Sequence, residues 1–216
     1  MQVVLLVGPP GSGKGQQSEV LVGEGYVHLS TGDVLRRVIT DPQHPMHDQI
    51  KEQMAAGKLV ADDLIVSLVK DYLEGLPKDA KVVFDGFPRT LSQAETMVDM
   101  GLCPQMLICL VCDDELLHKR ISGRWSDPAS GRVYNTYFNP PKNPGVDDIS
   151  GEPLVQRPDD REDVVADRIK TYQDKTYPMV PYFLQKGFTD AVRVVFIDAS
   201  ADIASVSGAV RSLLSK

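Results

Sequence analysis

The stretch that most constrains the fold lies near the start of the chain. Val3–Val7 reads VVLLV, and Gly8-Pro9-Pro10-Gly11-Ser12-Gly13-Lys14 follows at once. An apolar run without alternation fits a strand buried on both faces of a parallel sheet. The G-x-x-x-x-G-K spacing after a strand and before a helix turns successive backbone N–H groups onto phosphate oxygens. The helix N-terminus adds partial positive charge, and Lys14 can reach the β and γ phosphates. Gly11, Ser12, Gly13, Lys14, Gly15 and Gln16 are therefore the candidate phosphate cradle. Position 15 is glycine, so the serine or threonine hydroxyl that usually meets Mg2+ is absent there. Magnesium must then be held largely by nucleotide oxygens and water. A glycine-rich turn with an exposed lysine is the bland alternative, and the strand-to-helix context weighs against it.

Four more apolar runs follow: Tyr26–Leu29, Val82–Phe84, Met106–Val111 and Val194–Ile197. Helical patterns lie between them, with Ser92, Asp113 and Asp202 as residues of N-cap type. The alternation predicts the α/β class: a P-loop, doubly wound core on a five-stranded parallel sheet. Two stretches break it. Residues 31–60 read as two helices with a turn over Asp41–Pro45. Residues 124–160 carry Pro128, Pro140, Pro141, Pro144, Pro153 and Pro158 with Gly131, Gly145 and Gly151. That much turn chemistry predicts a small strand-and-turn unit, with Gly131–Tyr134 strand-like and Tyr134, Tyr137 and Phe138 as an apolar cluster. A disordered linker is the alternative. Arg161–Gly187 reads as a long helix bent near Pro178 and Pro181. The division is a core of residues 1–30, 61–122 and 161–216, a helical insert at 31–60, and a second insert at 123–160.

Composition excludes other classes. A chain of 216 residues with 42% hydrophobic residues can bury a core and is not a disordered chain. The net charge of −7 makes it a poor non-specific nucleic-acid binder, so any anion must be met by local placement of basic groups. No run approaches the length of a membrane span. Three cysteines are too few for a disulfide framework, and no basic-flanked apolar leader opens the chain, so a reducing, cytoplasmic setting is expected. Cys109-x-x-Cys112 falls in a strand run and reads as buried apolar packing rather than a redox pair. His28, His44, His47 and His118 show no metal-ligand spacing.

Further motifs stand in order along the chain: Ser30-Thr31-Gly32-Asp33-Val34-Leu35-Arg36, Ala56-Gly57-Lys58-Leu59-Val60, Asp85-Gly86-Phe87-Pro88-Arg89-Thr90 with Gln93, Gly123-Arg124, and Arg157-Pro158-Asp159-Asp160. With the phosphate loop, they closely resemble the adenylate kinases in the form with a long lid. The resemblance runs from Val3 to about Ser200. It implies a helical AMP-binding insert and a small strand-and-turn lid on the core, acting as a monomer. It implies ATP, AMP and ADP as partners, Mg2+ carried with ATP, and no nucleic acid or membrane. Lys14, Arg89, Arg124, Arg157 and Arg168 would be catalytic, with Arg132 beside them at the phosphates. Arg120, Arg124, Tyr134 and Ser200 would serve ATP, Arg120 and Arg124 sharing a face if their helix runs to Gly123. Thr31, Arg36, Lys58, Val60, Gly86, Arg89, Gln93, Arg157 and Arg168 would serve AMP. Asp33 and Asp85 would order magnesium-bound water without ligating the metal.

Two departures accompany the resemblance. Gln16 stands where the family carries threonine, which removes a hydroxyl contact to ATP. Residues 124–160 contain neither Cys nor His, so the zinc that builds some long lids is excluded. A kinase using GTP as donor or UMP as acceptor is the enzymatic alternative. A lone P-loop ATPase is the remoter one, with Leu107–Asp114 as its apolar-run-plus-acid strand. Asp85–Arg89 and the lid arginines argue against it.

Overall fold

A computed structural model describes residues 1–185 and 191–214. In chain order the elements are β1 (Gln2–Val7), α1 (Lys14–Gly23), β2 (Val27–Ser30), α2 (Thr31–Val38), α3 (His47–Ala55), α4 (Asp62–Glu74), β3 (Lys81–Asp85), α5 (Leu91–Asp99), β4 (Met106–Val111), α6 (Asp114–Ser122), β5 (Arg124–Ser126), β6 (Val133–Asn135), α7 (Glu162–Thr171), α8 (Met179–Phe183), β7 (Arg193–Asp198) and α9 (Ile203–Leu214). Five strands form one parallel sheet in the order β2-β3-β1-β4-β7. The apolar run of β1 divides by alternation. Val3, Leu5 and Val7 enter one core with Phe84, Met97 and Phe183, while Val4 and Leu6 enter the other with Leu21, Ile108 and Val210. Helices cover both faces, as the unbroken apolar strands require.

Residues 31–60 hold α2 and α3 and no strand, with a turn between them at residues 41–46. The Pro-rich stretch is ordered around the antiparallel pair β5–β6, with bridges Ser126–Val155 and Val146–Pro153. Its centre is polar. Asp147 is buried and accepts from Arg132 Nε (2.8 Å) and Nη2 (2.7 Å), from the Tyr134 hydroxyl (3.1 Å), and from the backbone N–H of Ile149 and Ser150. Hydrogen bonds from Arg132 hold its carboxyl far below the usual range.

Three expectations are corrected. The N-cap of α5 is Thr90, not Ser92: Thr90 is extended, and its hydroxyl accepts from Gln93 N–H at 3.1 Å. The long helix breaks before its prolines, at a π-helical turn over Tyr172–Thr176 between α7 and α8. There Tyr177 N–H bonds five residues back to Tyr172, and Thr176 Oγ1 donates to the Arg89 carbonyl at 2.8 Å. Gly187, its expected end, lies outside the described residues. Finally, Tyr134 is buried but Tyr137 and Phe138 are exposed and touch each other, so the three form no cluster.

Candidate active site

The strand register brings three loops to one edge. Asp85, at the end of β3, is level with Leu6 of β1 on one side and Ser30 of β2 on the other. In open α/β sheets this carboxyl-end crevice is where ligands sit. The phosphate loop leaves β1 there. Gly13 takes φ +90° at the N-cap of α1, a conformation that glycine adopts without strain. Among the described residues no side chain caps that helix, and its first turn has no acid, so the positive end of the helix is left to an anion. Ser12 Oγ is buried with no hydrogen-bond partner among the described residues. Lys14 Nζ folds back onto the carbonyls of Gly8 (2.8 Å) and Pro9 (3.0 Å). Burial lowers its pKa to about 8, with Asp85 opposing and Arg89, Arg168 and Arg124 adding to the fall.

Around Lys14 stands a ring of guanidiniums from distant parts of the chain. Asp160, fully buried in a 3-10 turn over Pro158–Asp160, organises two of them. It accepts from Arg124 Nε (2.7 Å) and Nη2, and from Arg168 Nη1 (2.8 Å), which also pairs with Asp159 at 3.0 Å. Burial pushes the Asp160 carboxyl up, but the arginines outweigh it and leave it below the usual value. Arg36 pairs with Asp33 at 2.5 Å. Arg157 is different: among the described residues its side chain makes no hydrogen bond or ion pair. Burial, then Arg124 and Arg36, lower its pKa to about 10, so it stays charged at neutral pH. Among the described residues Arg89 has no carboxylate partner either. Its Nε donates to the Gly86 carbonyl at 2.9 Å, and burial followed by nearby Arg168 and Arg36 lowers its pKa despite Asp85.

The β2 and β3 ends carry the second half of the site. Thr31 Oγ1 donates to the Gly86 carbonyl at 2.7 Å. Gly86 has φ +83°, and a Cβ there would come within 2.6 Å of the Arg89 guanidinium. Gln93 is a buried residue, not a helix-surface one: its Oε1 accepts from Arg89 N–H and its Nε2 donates to Asp62, both at 2.7 Å. The apolar side chains of Leu29, Val34, Ile65, Leu68 and Val69 gather beside Thr31. Val60 is buried and Lys58 exposed. Gly57 brings this end of the helical insert against Arg168, where a Cβ would meet its Cγ at 2.7 Å.

Other predicted residues are held by contacts of their own. Helix α6 ends at Ser122, so Arg120 and Arg124 do not share a face. Arg120 turns to the Ala199 carbonyl (2.7 Å), beside Ser200, with the Phe138 ring 5.8 Å away. Arg132 and Tyr134 are bonded to Asp147 inside the Pro-rich unit. Cys109 is buried, and burial pushes its thiol up to about 12, consistent with packing rather than redox work. Nothing in the sequence singles out Asp62, Asp147 or Thr176, whose partners are distant in the chain. Asp160 closes the Arg157–Asp160 motif and marks the junction of the second insert, but its pairing with Arg124 and Arg168 shows only in the fold.

The residues fit a metal that arrives with nucleotide. Among the described residues no group of three or more His, Cys, Asp or Glu could hold an ion. Asp85 faces the crevice beside Lys14, with His28 Nε2 3.7 Å from its Oδ2. Burial raises its pKa, but His28 and Lys14 outweigh burial and hold the carboxyl below its usual value.

A phosphate loop at the centre of a parallel sheet, ringed by arginines from four segments of the chain, defines a P-loop phosphotransferase. The profile of the adenylate kinase family matches residues 6–188. Adenylate kinase 4 of Arabidopsis thaliana is 43% identical over 188 residues, covering 85% of this chain and 76% of that protein. Adenylate kinases 4 and 3 of Oryza sativa subsp. japonica are 42% and 41% identical, covering 85% of this chain and 77% and 78% of theirs. The chain belongs to the adenylate kinase family.

Proposed function

We propose that the protein transfers the terminal phosphoryl group of ATP to AMP, giving two ADP, reversibly and with Mg2+. The observation that carries this reading is the pair of desolvated cations beside Lys14, Arg157 and Arg89, that lack carboxylate partners among the described residues. Such charges are costly unless an anion completes them. In this reading the α1 N-terminus and Lys14 hold the donor phosphates, while Arg36 and Arg89 hold the acceptor phosphate. Arg124, Arg157 and Arg168 would then lie between the two and face the moving group. Arginine suits the task because its planar fork binds phosphate oxygens bidentately and keeps its charge.

Phosphoryl transfer asks little covalent help of a protein; it asks for in-line positioning and charge neutralisation in a dry site. Bound Mg2+ would supply part of that neutralisation, its water held by Asp85 and Asp33. The segment 123–160 carries Arg124, Arg132 and Arg157 and would act as the lid; the helical insert 31–60 would close with AMP. Closure of both would expel water, the competing acceptor. A lone ATPase would leave Arg36, Arg89 and the buried Gln93 amide beside them without a role. Incubation with MgATP and AMP, GMP, UMP or CMP separately tests the assignment: ADP should form rapidly with AMP alone. Equal turnover with UMP, or turnover with no monophosphate, would overturn it.

A further inference from the structure

We propose that Asp62 is a positioning residue that fixes which end of the Gln93 amide is donor and which is acceptor, and so sets the choice of acceptor base. The inference rests on the reading of Gln93 as the side chain that meets that base. An amide can be turned end for end at little cost unless its neighbours dictate otherwise. Here both neighbours do. Arg89 N–H can only donate, which requires oxygen at the Gln93 end it meets. The Asp62 carboxylate can only accept, which requires nitrogen at the other end. The two locks agree, and each bond is 2.7 Å.

Asp62 is itself fixed. Its second oxygen accepts from Thr90 Oγ1 at 2.8 Å, while Thr90 Oγ1 accepts from Gln93 N–H and caps α5. Arg89 is tied at its carbonyl by Thr176 and at its Nε by Gly86. Gln93 makes two side-chain bonds and keeps one N–H and one oxygen lone pair uncommitted. A buried amide with half its capacity in hand, in a fixed orientation, offers an adjacent donor and acceptor. That pattern complements adenine, whose amino group donates beside a ring nitrogen that accepts. Hypoxanthine reverses the pattern at the same positions, with a carbonyl and a ring N–H. It would need the amide turned over, against both locks.

The bland role for Asp62 is an acid in the first turn of α4, favourable to the helix dipole. Asp63 is its exposed neighbour in the same turn and serves as the control. The experiment measures kcat and KM for AMP and for inosine monophosphate, with saturating MgATP, in Asp62→Asn, Asp62→Ala, Asp63→Asn and Gln93→Met. The ratio of the two kcat/KM values within one preparation does not depend on the fraction of enzyme that is folded. Removing one lock of two should lower the AMP preference of both Asp62 variants by about tenfold, mainly through a higher KM for AMP, with kcat little changed. Asp63→Asn should keep the parent ratio. If Gln93→Met raises the KM for AMP while both Asp62 variants keep the parent ratio, the inference about Asp62 fails and the reading of Gln93 stands. If Gln93→Met leaves the KM for AMP unchanged, the reading of Gln93 fails and the inference with it.

Discussion

Replacing Asp160 with asparagine should unbalance the whole cationic site. The carboxylate is completely buried, while the Arg124 and Arg168 side chains are each 18% exposed. The substitution removes one negative charge and sets an amide N–H against guanidinium N–H groups. Breaking a buried pair by neutralising one partner costs about 3–5 kcal/mol, because the remaining charges stay desolvated. For a chain of this size each kcal/mol moves the melting temperature by roughly 2–4 °C, so a fall of roughly 6–20 °C is expected. Calorimetry would measure it. The same reasoning makes a second demand. With Asp160 neutral, the cluster of Lys14, Arg89, Arg124, Arg157 and Arg168 carries one more uncompensated charge. A polyanion bound only by the folded state then stabilises the variant more than the parent. Tripolyphosphate should therefore recover a larger share of the melting temperature in Asp160→Asn. A variant that melts within about 2 °C of the parent and gains no more from tripolyphosphate would refute the argument.

Lys14→Met should lower transfer by at least about a hundredfold, since it removes a preorganised charge from the donor phosphates; steady-state rates would show it, and loss of less than about tenfold would count against the assignment. Lys14 also sets a pH dependence: its pKa in the free protein is lowered to about 8, so its charge is lost as pH rises through that value. Accordingly kcat/KM for ATP should fall above about pH 8, while kcat holds further, because bound phosphates draw the proton back. For stability the sign is opposite: the unfolded chain binds the proton more tightly between about 8 and 10.5, so this group adds stability as pH rises through that window. A linked analogue, two adenosines joined by five phosphates, should bind at least about a hundredfold more tightly than ATP by calorimetry, since it spans both sites.

What could be read in the sequence was what is local. The phosphate loop and Asp85–Arg89 are contiguous segments whose chemistry and neighbouring strands fall within one or two turns of chain. The apolar runs sufficed for the five-stranded sheet for the same reason. The remainder depends on contacts made only after closure of long loops. Asp62 reaches Gln93 across 31 positions, and Arg124 reaches Asp160 across 36. Neither partner announces itself in a window of residues. Ser92 has the chemistry of a cap, but the helix is capped two residues earlier, at Thr90, which Asp62 also holds. The prolines of 178 and 181 marked a break correctly in kind, but the π-helical turn precedes them and directs Thr176 to Arg89. Arg120 and Arg124 followed helical spacing on paper until α6 stopped at Ser122.

The central claim is that one cationic cluster joins two nucleotide sites for direct transfer. Its most direct test follows γ-labelled ATP, with Mg2+, with and without AMP. The account predicts label passing into ADP when AMP is present, with inorganic phosphate forming only slowly in either case. Equal loss of ATP with and without AMP, with the label released as inorganic phosphate, would contradict it.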